Sequence, residues 1–425
     1  MNNFPNVQYL TLPNGIRVIT QEMPYLQSAT IGIQVTNGAR NESAGLEGAA
    51  HFVEHLLFKA TPSRSSQEIS TRLDALGANA NAVTDQEDVT YYATCLGADI
   101  PEVFDILADM YQNATLPPDE VEMERKVVIE EIKMTGDNPS RFLSHQFIDG
   151  FWAGSPLGHP VLGTFDTVGS VTRDQLAAFK AKHYISGNTI ISVVGNVRHQ
   201  EIVSLTERLM GDMSSAASIK QAAMHDGWEP SLAIGRHHER DMAQIQFYIG
   251  YRGVGAVDPD RHAQALLCQI LGGSMGSRLF QEVRELRGLA YSVGSQEILN
   301  YDEGILAIAC GTSPDKAQDA ADLCHQILLD MATTPVSDER LADAKRLAVS
   351  RVLRCLDHPE RQIFRLAYSY ELYGKPRTVE EQVQSYIKPD AEALMRIARR
   401  ILGYGPPRLE SIGKTMKLVV PSQQH

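Results

Sequence analysis

Apolar and polar residues alternate on both sides of a Pro13-Asn14-Gly15 turn, in "VQYLTL" and "IRVIT", and so predict an opening β-hairpin. A third alternating run, "SATIGIQV", leads into a stretch of helical periodicity over residues 45–60. Beyond it the pattern predicts a helix in "SSQEISTRLDALG", ended by Gly77, then strands at "NANAV" and "VTYYATC". Helices follow near 99–113, 118–135, 139–152 and 173–183, then the strand "NTIISVVGNV" and a last helix to about 211. Residues 212–231, rich in Ser, Ala and polar side chains, break the pattern and read as a linker.

After the linker the order of elements restarts. "AQIQFYIGYRG" begins 214 residues after "ATIGIQVTNGA", and "LESIG" lies 218 residues after "ISVVG". Two offsets this close suggest a duplicated unit of about 210 residues; the alternative is that a strand followed by a helix recurs by chance in any α/β chain. The domains expected are therefore 1–211, a linker at 212–231, and 232–425.

Composition narrows the class. A chain of 425 residues with 43% hydrophobic residues and no low-complexity tract is globular and long enough for more than one core. Its net charge of −13 argues against nucleic acid or an anionic membrane as partner and is compatible with basic peptides. Five scattered cysteines without a CxxC pair read as reduced thiols, and no apolar run is long enough to span a bilayer. The amino terminus shows no signal-peptide pattern, so the expected compartment is the cytoplasm.

Chemistry enters at "GAAHFVEHLLFKAT", where His51, Glu54 and His55 interrupt an apolar helix. At about 100° per residue these three side chains share an arc of about 100°. Two histidines at i and i+4 present nitrogens to one metal ion, and a carboxylate beside them reaches its water. The alternative, hydrogen-bonded core histidines, leaves three buried ionisable groups without a common partner.

A catalytic zinc site needs a third protein ligand. In "PPDEVEMERKVVIEEIKMT", Val121, Glu124, Val128, Glu131 and Ile132 fall on one helical stripe, so Glu124 and Glu131 stand where apolar residues are expected. Glu131 is the expected third ligand and Glu124 a supporting carboxylate. Glu120, Glu122 and Glu130 read as solvated, and Asp119 with Glu122 as a capping box.

The HxxEH motif, followed by Glu131 in "ERKVVIEE", resembles the pitrilysin/insulinase family of zinc metallopeptidases, the inverzincins. "NAVTDQEDVTYYA", "PLGHPVLGT" and "RLFQEVRELRGLAYSV" are similar to the bacterial relatives of the mitochondrial processing peptidase β-subunit, so the resemblance spans nearly the whole chain. One departure is Ala60, where the family motif often has Gly. The resemblance implies an α+β fold: two homologous α/β halves, each a mixed, largely antiparallel sheet with helices packed on it, closing as a clamshell.

It further implies one Zn2+ per chain on His51, His55 and Glu131, with Glu54 as general base and Glu124 in support. Arg284 and Tyr291 would complete the site from the second half, and Asn81 and Ala82 would pair with an extended substrate. The implied activity is hydrolysis of unfolded peptides, by a homodimer or by a heterodimer with a homologous subunit. Alternatives are a non-catalytic scaffold or partner subunit, or a catalytic subunit active only in a heterodimer. The second half is expected to lack a metal site, because shifting His51, Glu54 and His55 by 214 gives Ala265, Cys268 and Gln269. "LGGSMGSRLF" lacks the preceding strand and GK[ST] ending of a phosphate loop, and reads as a glycine turn between helices.

Overall fold

The computed structural model describes residues 6–224, 228–230, 232, 235–414 and 418–420; positions 1–5 and, within the predicted linker, 225–227 and 231 lie outside them. Contacts divide the chain into two units. Unit 1 takes residues 1–134, 159–224 and 353–379, and unit 2 takes 135–158, 225–352 and 380–425. Neither is a continuous stretch of sequence.

In unit 1 the alternating runs become β1 (Val7–Thr11), β2 (Arg17–Glu22), β3 (Ser28–Val35), β4 (Asn79–Thr84), β5 (Val89–Leu96) and β6 (Thr189–Gly195). They form one sheet in the order β1-β2-β6-β3-β5-β4, with β2 and β6 parallel and the other neighbours antiparallel. Strand β6 is buried on both faces, which explains why apolar residues lie on both sides of it, with Ser192 the one polar residue inside the run. Ile191 and Val193 join the larger core, which holds α1 (Ala49–Leu57), α2 (Ser66–Ala75), α3 (Ile100–Asn113) and part of α4 (Pro118–Asp137). Ile190 and Val194 face the other way, onto Ile363, Leu366 and Ala367 of the helix Pro359–Tyr373. Burying each large aliphatic side chain there contributes about 1.5–3 kcal/mol.

Helix α1 is shorter than the periodicity over 45–60 predicts. Gly45 and Gly48 adopt φ of 84° and 93°, which keeps the chain in turns until Ala49. Gly48 offers no side-chain cap. Instead Glu42, from the preceding loop, accepts the N–H groups of Gly48 (3.0 Å) and Ala50 (2.7 Å). Burial pushes the Glu42 carboxyl well above its ordinary pKa, against the pull of those backbone donors. At α4 the expected capping box does not form: the helix begins at Pro118, so Asp119 lies inside its first turn, and the Glu122 carboxylate pairs with Arg125 at 2.9 Å.

Unit 2 contains β7 (Gly235–Glu239), β8 (Ile245–Val254), β9 (Ser292–Leu299), β10 (Glu303–Thr312) and β11 (Arg408–Gly413), in the order β7-β11-β8-β10-β9. Here the outer pair β7 and β11 is parallel and the rest antiparallel. Without β1, the first sheet reads the same strand for strand: β2-β6-β3-β5-β4. Shared order and shared direction in every pair establish the duplication that two sequence anchors only suggested. Helices Arg261–Gly272, Ala317–Thr333 and Ala391–Gly403 build the core on one face of this sheet.

The other face of each sheet is closed by a helix from the opposite half of the sequence. Helix α5 (Pro139–Phe151) belongs to unit 2, where Phe147 stacks on Tyr248 with centroids 4.9 Å apart. Its counterpart in the repeat, Pro359–Tyr373, belongs to unit 1. Both contacts depend on a glycine in the sheet: a Cβ at Gly32 would meet Ile363 at 2.9 Å, and one at Gly250 would run into the Phe147 ring. Gly250→Ala is therefore expected to destabilise the protein by about 1–3 kcal/mol. Thermal denaturation of the full chain checks this, and an unchanged Tm would contradict the close approach.

Residues 212–224 have no regular secondary structure but are tied down. Ile219 donates its N–H to Asn188 (2.7 Å), and Arg40 donates to the Ala222 carbonyl (2.7 Å). Among the described residues, no helix is long and apolar enough to cross a membrane.

Candidate metal centre

Helix α1 buries His51 and keeps Glu54 and His55 half-buried on the same face. Helix α4 sets Glu124 and Val128 into the core and leaves Glu131 partly open, while Glu130 turns outward to Lys133 at 2.6 Å. The two helices bring together the Nε2 atoms of His51 and His55 and the Oε2 of Glu131. That oxygen lies 3.4 Å from His51 Nε2 and 3.7 Å from His55 Nε2. Donors held about 2.1 Å from a tetrahedral zinc lie about 3.4 Å from one another, so the spacing fits that ion. Among the described residues this is the one group of three His, Cys, Asp or Glu able to hold a metal.

The surroundings orient the donors. His55 Nδ1 lies 2.9 Å from Glu124 Oε2, which directs Nε2 toward Glu131, and Lys59 Nζ lies 2.6 Å from Glu124 Oε1. Burial alone would raise the Glu124 carboxyl, but the hydrogen bonds from Lys59 and His55 outweigh it and hold the group below its ordinary value. Burial, assisted by the neighbouring His55, pushes His51 down to about 3, leaving its imidazole neutral and free to donate a lone pair. Among the described residues none is a hydrogen-bond partner for the buried His51 Nδ1.

Glu54 is not part of the three-donor set. Thr84 Oγ1, at the end of β4, donates to its Oε2 at 2.5 Å. Burial and the Glu131 charge raise its pKa, while Thr84 and His55 act against them. A basic carboxylate beside a three-donor metal site can take a proton from water. Sequence reading did not single out Thr84, Lys59 or Glu42; the signals available were the Thr ending "NAVT" and the Lys of "LLFKAT".

Asn81 and Ala82 lie on β4, the edge strand of its sheet. Asn79, Asn81 and Val83 point outward, while Ala80, Ala82 and Thr84 are half-buried. Arg284 and Tyr291 lie in unit 2. Arg284, on the π-helical turn Phe280–Leu286, stands 4.8 Å above the Phe280 ring, and Tyr291 is 63% exposed just before β9. The glycine turn at 273–277 joins two helical segments, as its composition predicts.

The corresponding positions of unit 2 hold no ligand set. Cys268 donates to Ser295 at 3.4 Å, with Ala265 and Gln269 flanking it on the helix Arg261–Gly272. Aligning the buried Leu341, Ala344 and Ala348 with Val121, Glu124 and Val128 puts Ala344 in the place of Glu124 and Arg351 in that of Glu131. An imidazole and a carboxylate are thus replaced by an amide and a cation. The five cysteines are free.

Residues 17–165 match the family described as Insulinase (Peptidase family M16), and residues 170–348 match the Peptidase M16 inactive domain. This chain belongs to the M16 insulinase family. It is 36% identical to an uncharacterized zinc protease of Mycobacterium leprae over 92% of this chain and 88% of that one. It is 29% identical to the uncharacterized zinc protease YmxG of Bacillus subtilis over 93% and 95%. Its fold superposes with a TM-score of 0.87 on a protease from Helicobacter pylori, at 20% identity and covering 96% and 99% of the two chains. It matches equally well, at 22% identity over 97% and 99%, a structure titled peptidase M16 inactive domain from Pseudomonas fluorescens.

Proposed function

We propose that this chain is a zinc-dependent endopeptidase acting on unfolded peptides, with one Zn2+ held by His51, His55 and Glu131. The observation that carries this reading is the donor spacing of 3.4 and 3.7 Å, with Glu54 on the same helical face and outside the donor set. A zinc ion at such a site supplies Lewis acidity, lowering the pKa of water to roughly 7 and polarising a carbonyl. Glu54, held by Thr84, accepts the proton of the attacking water and delivers it to the leaving amine. Glu124 keeps His55 in the tautomer that offers Nε2. An extended peptide adds to the free edge of β4 at Asn81 and Ala82, where main-chain hydrogen bonds accept many sequences.

Arg284 and Tyr291 are assigned to the substrate carbonyl and the developing oxyanion. Tyr291→Phe is then expected to lower kcat with zinc content unchanged; a loss of zinc would place this residue among the groups that support the metal. We further propose a cytoplasmic enzyme that works as a dimer, with itself or with a homologous subunit. Size-exclusion chromatography of the purified chain alongside a peptidase assay separates the two. A non-catalytic role is disfavoured because a scaffold has no use for buried ionisable groups that are costly without a cation. The test is elemental analysis together with hydrolysis of a quenched peptide with and without chelator. Hydrolysis that survives removal of all metal would end this reading.

A further inference from the structure

Unit 2 carries a cavity where unit 1 carries its metal ligands. A space of about 140 Å3 opens between the end of the helix Arg261–Gly272, the turn at 273–277 and the helix Asp338–Cys355. Two of its lining residues stand at places matched above to the metal centre: Gln269 at that of His55, and Ala344 at that of Glu124. Exchange of a buried glutamate for alanine cuts the side chain back to a methyl group, and the surrounding core has not closed over the gap.

The floor of this cavity is polar. Gln269 is 6% exposed and Ser277 2%, and neither Gln269 Oε1 nor Ser277 Oγ has a hydrogen-bond partner among the described residues. Unpaired buried polar atoms are costly, and two of them in one cavity point to an occupant that bonds both. The rim is charged with both signs. Arg340 and Asp343 are exposed, one helical turn apart, and neither side chain has an ion-pair partner among the described residues. Burial, and after it the nearby Arg340 charge, lowers the pKa of Arg278, so positive charge gathers at the Arg340 end.

These features together define the ligand. Side chains at i and i+3 of a helix start about 5–6 Å apart, so an occupant that meets both rim charges carries an anion and a cation close together. A free α-amino acid does, because its carboxylate and ammonium share one carbon. An inorganic anion such as phosphate would meet Arg340 but face the like charge of Asp343. At the floor, an amide oxygen and a hydroxyl are served together by a group that both donates and accepts, as a primary amide does. The volume suits one molecule of that size.

We propose that this cavity is a binding site for a free α-amino acid with a short amide side chain, asparagine or glutamine, its carboxylate on Arg340, its ammonium on Asp343 and its amide on Gln269 and Ser277. The site does not depend on the peptidase reading. The purified full chain is titrated calorimetrically with asparagine, glutamine, leucine, N-acetylglutamine, glutamine amide and inorganic phosphate. One of the two amide amino acids is expected to bind with a Kd on the order of 1 mM or below, the range open to so small a ligand. Blocking either of its charged ends should weaken binding about fivefold, as for an exposed ion pair, and so should Arg340→Gln or Asp343→Asn, whose exposed positions spare the fold. Amino acids also chelate zinc, so His55→Ala is titrated in parallel and should bind as wild type does. Binding that survives in Arg340→Gln and Asp343→Asn but is lost in His55→Ala would place the ligand on the metal and overturn the site. No binding of either amide amino acid up to about 10 mM, or binding of leucine or phosphate as tight as theirs, would overturn it as well.

Discussion

Glu54→Gln is expected to lose about 10²–10⁴-fold in peptide hydrolysis while retaining its zinc and its fold. The amide keeps the size of the side chain and can still accept the hydroxyl of Thr84, now 2.5 Å from the carboxylate. It cannot take a proton from water. The three donors around Glu131 do not include Glu54, so metal content should match wild type. Full zinc with a collapse in kcat is the expected pair of results, and the inactive protein should hold a peptide long enough for its binding to be measured. Turnover near the wild-type rate would remove Glu54 from the chemistry, whatever the metal content.

The second large effect is expected at the ligands. His55→Ala removes one of three donors and also strips the buried Glu124 of a partner at 2.9 Å, leaving it Lys59 alone. Zinc affinity should fall beyond the about 10–100-fold typical of a change behind the ligands. Glu124→Gln supplies that comparison, since it touches His55 without being one of the three donors. Competition with a chromophoric chelator ranks the variants, and the order expected is wild type, then Glu124→Gln, then His55→Ala. Stoichiometric zinc in purified His55→Ala would show that the metal sits elsewhere.

Much of this geometry was legible in the sequence because charges in an apolar stripe are conspicuous. His51, His55, Glu124 and Glu131 all interrupt such stripes, and helical periodicity alone puts them on inward faces. Strands were equally readable wherever one face is buried. What escaped was chemistry without a periodic signature. Glu42 caps α1 from a loop, across a glycine that carries no cap signal, and Thr84 looks like any strand residue until its hydroxyl meets Glu54. The capping box expected at Asp119 failed because Pro118 starts the helix two positions before the residue that would follow such a cap. Helical periodicity is present in α5 and in Pro359–Tyr373, but it carries no information about which sheet receives the buried face.

That exchange of helices bears on how the polypeptide reaches its native state. By the time the first 224 residues have been synthesised, all six strands of the first sheet exist, yet Ile19, Met23, Ile190 and Val194 still await Ile363 and Leu366. Meanwhile α5 is already made and has no sheet to cover, because β8 and β11 follow much later. Closing each unit means joining segments far apart in sequence, and such contacts incur loop-closure entropy before they return any burial. The nascent amino-terminal half thus carries uncovered apolar surface on both a sheet and a helix until most of the carboxy-terminal half has emerged. The larger core of each unit lies within one half of the sequence and can form as that half emerges, whereas the second face of each sheet closes only once segments from both halves are present.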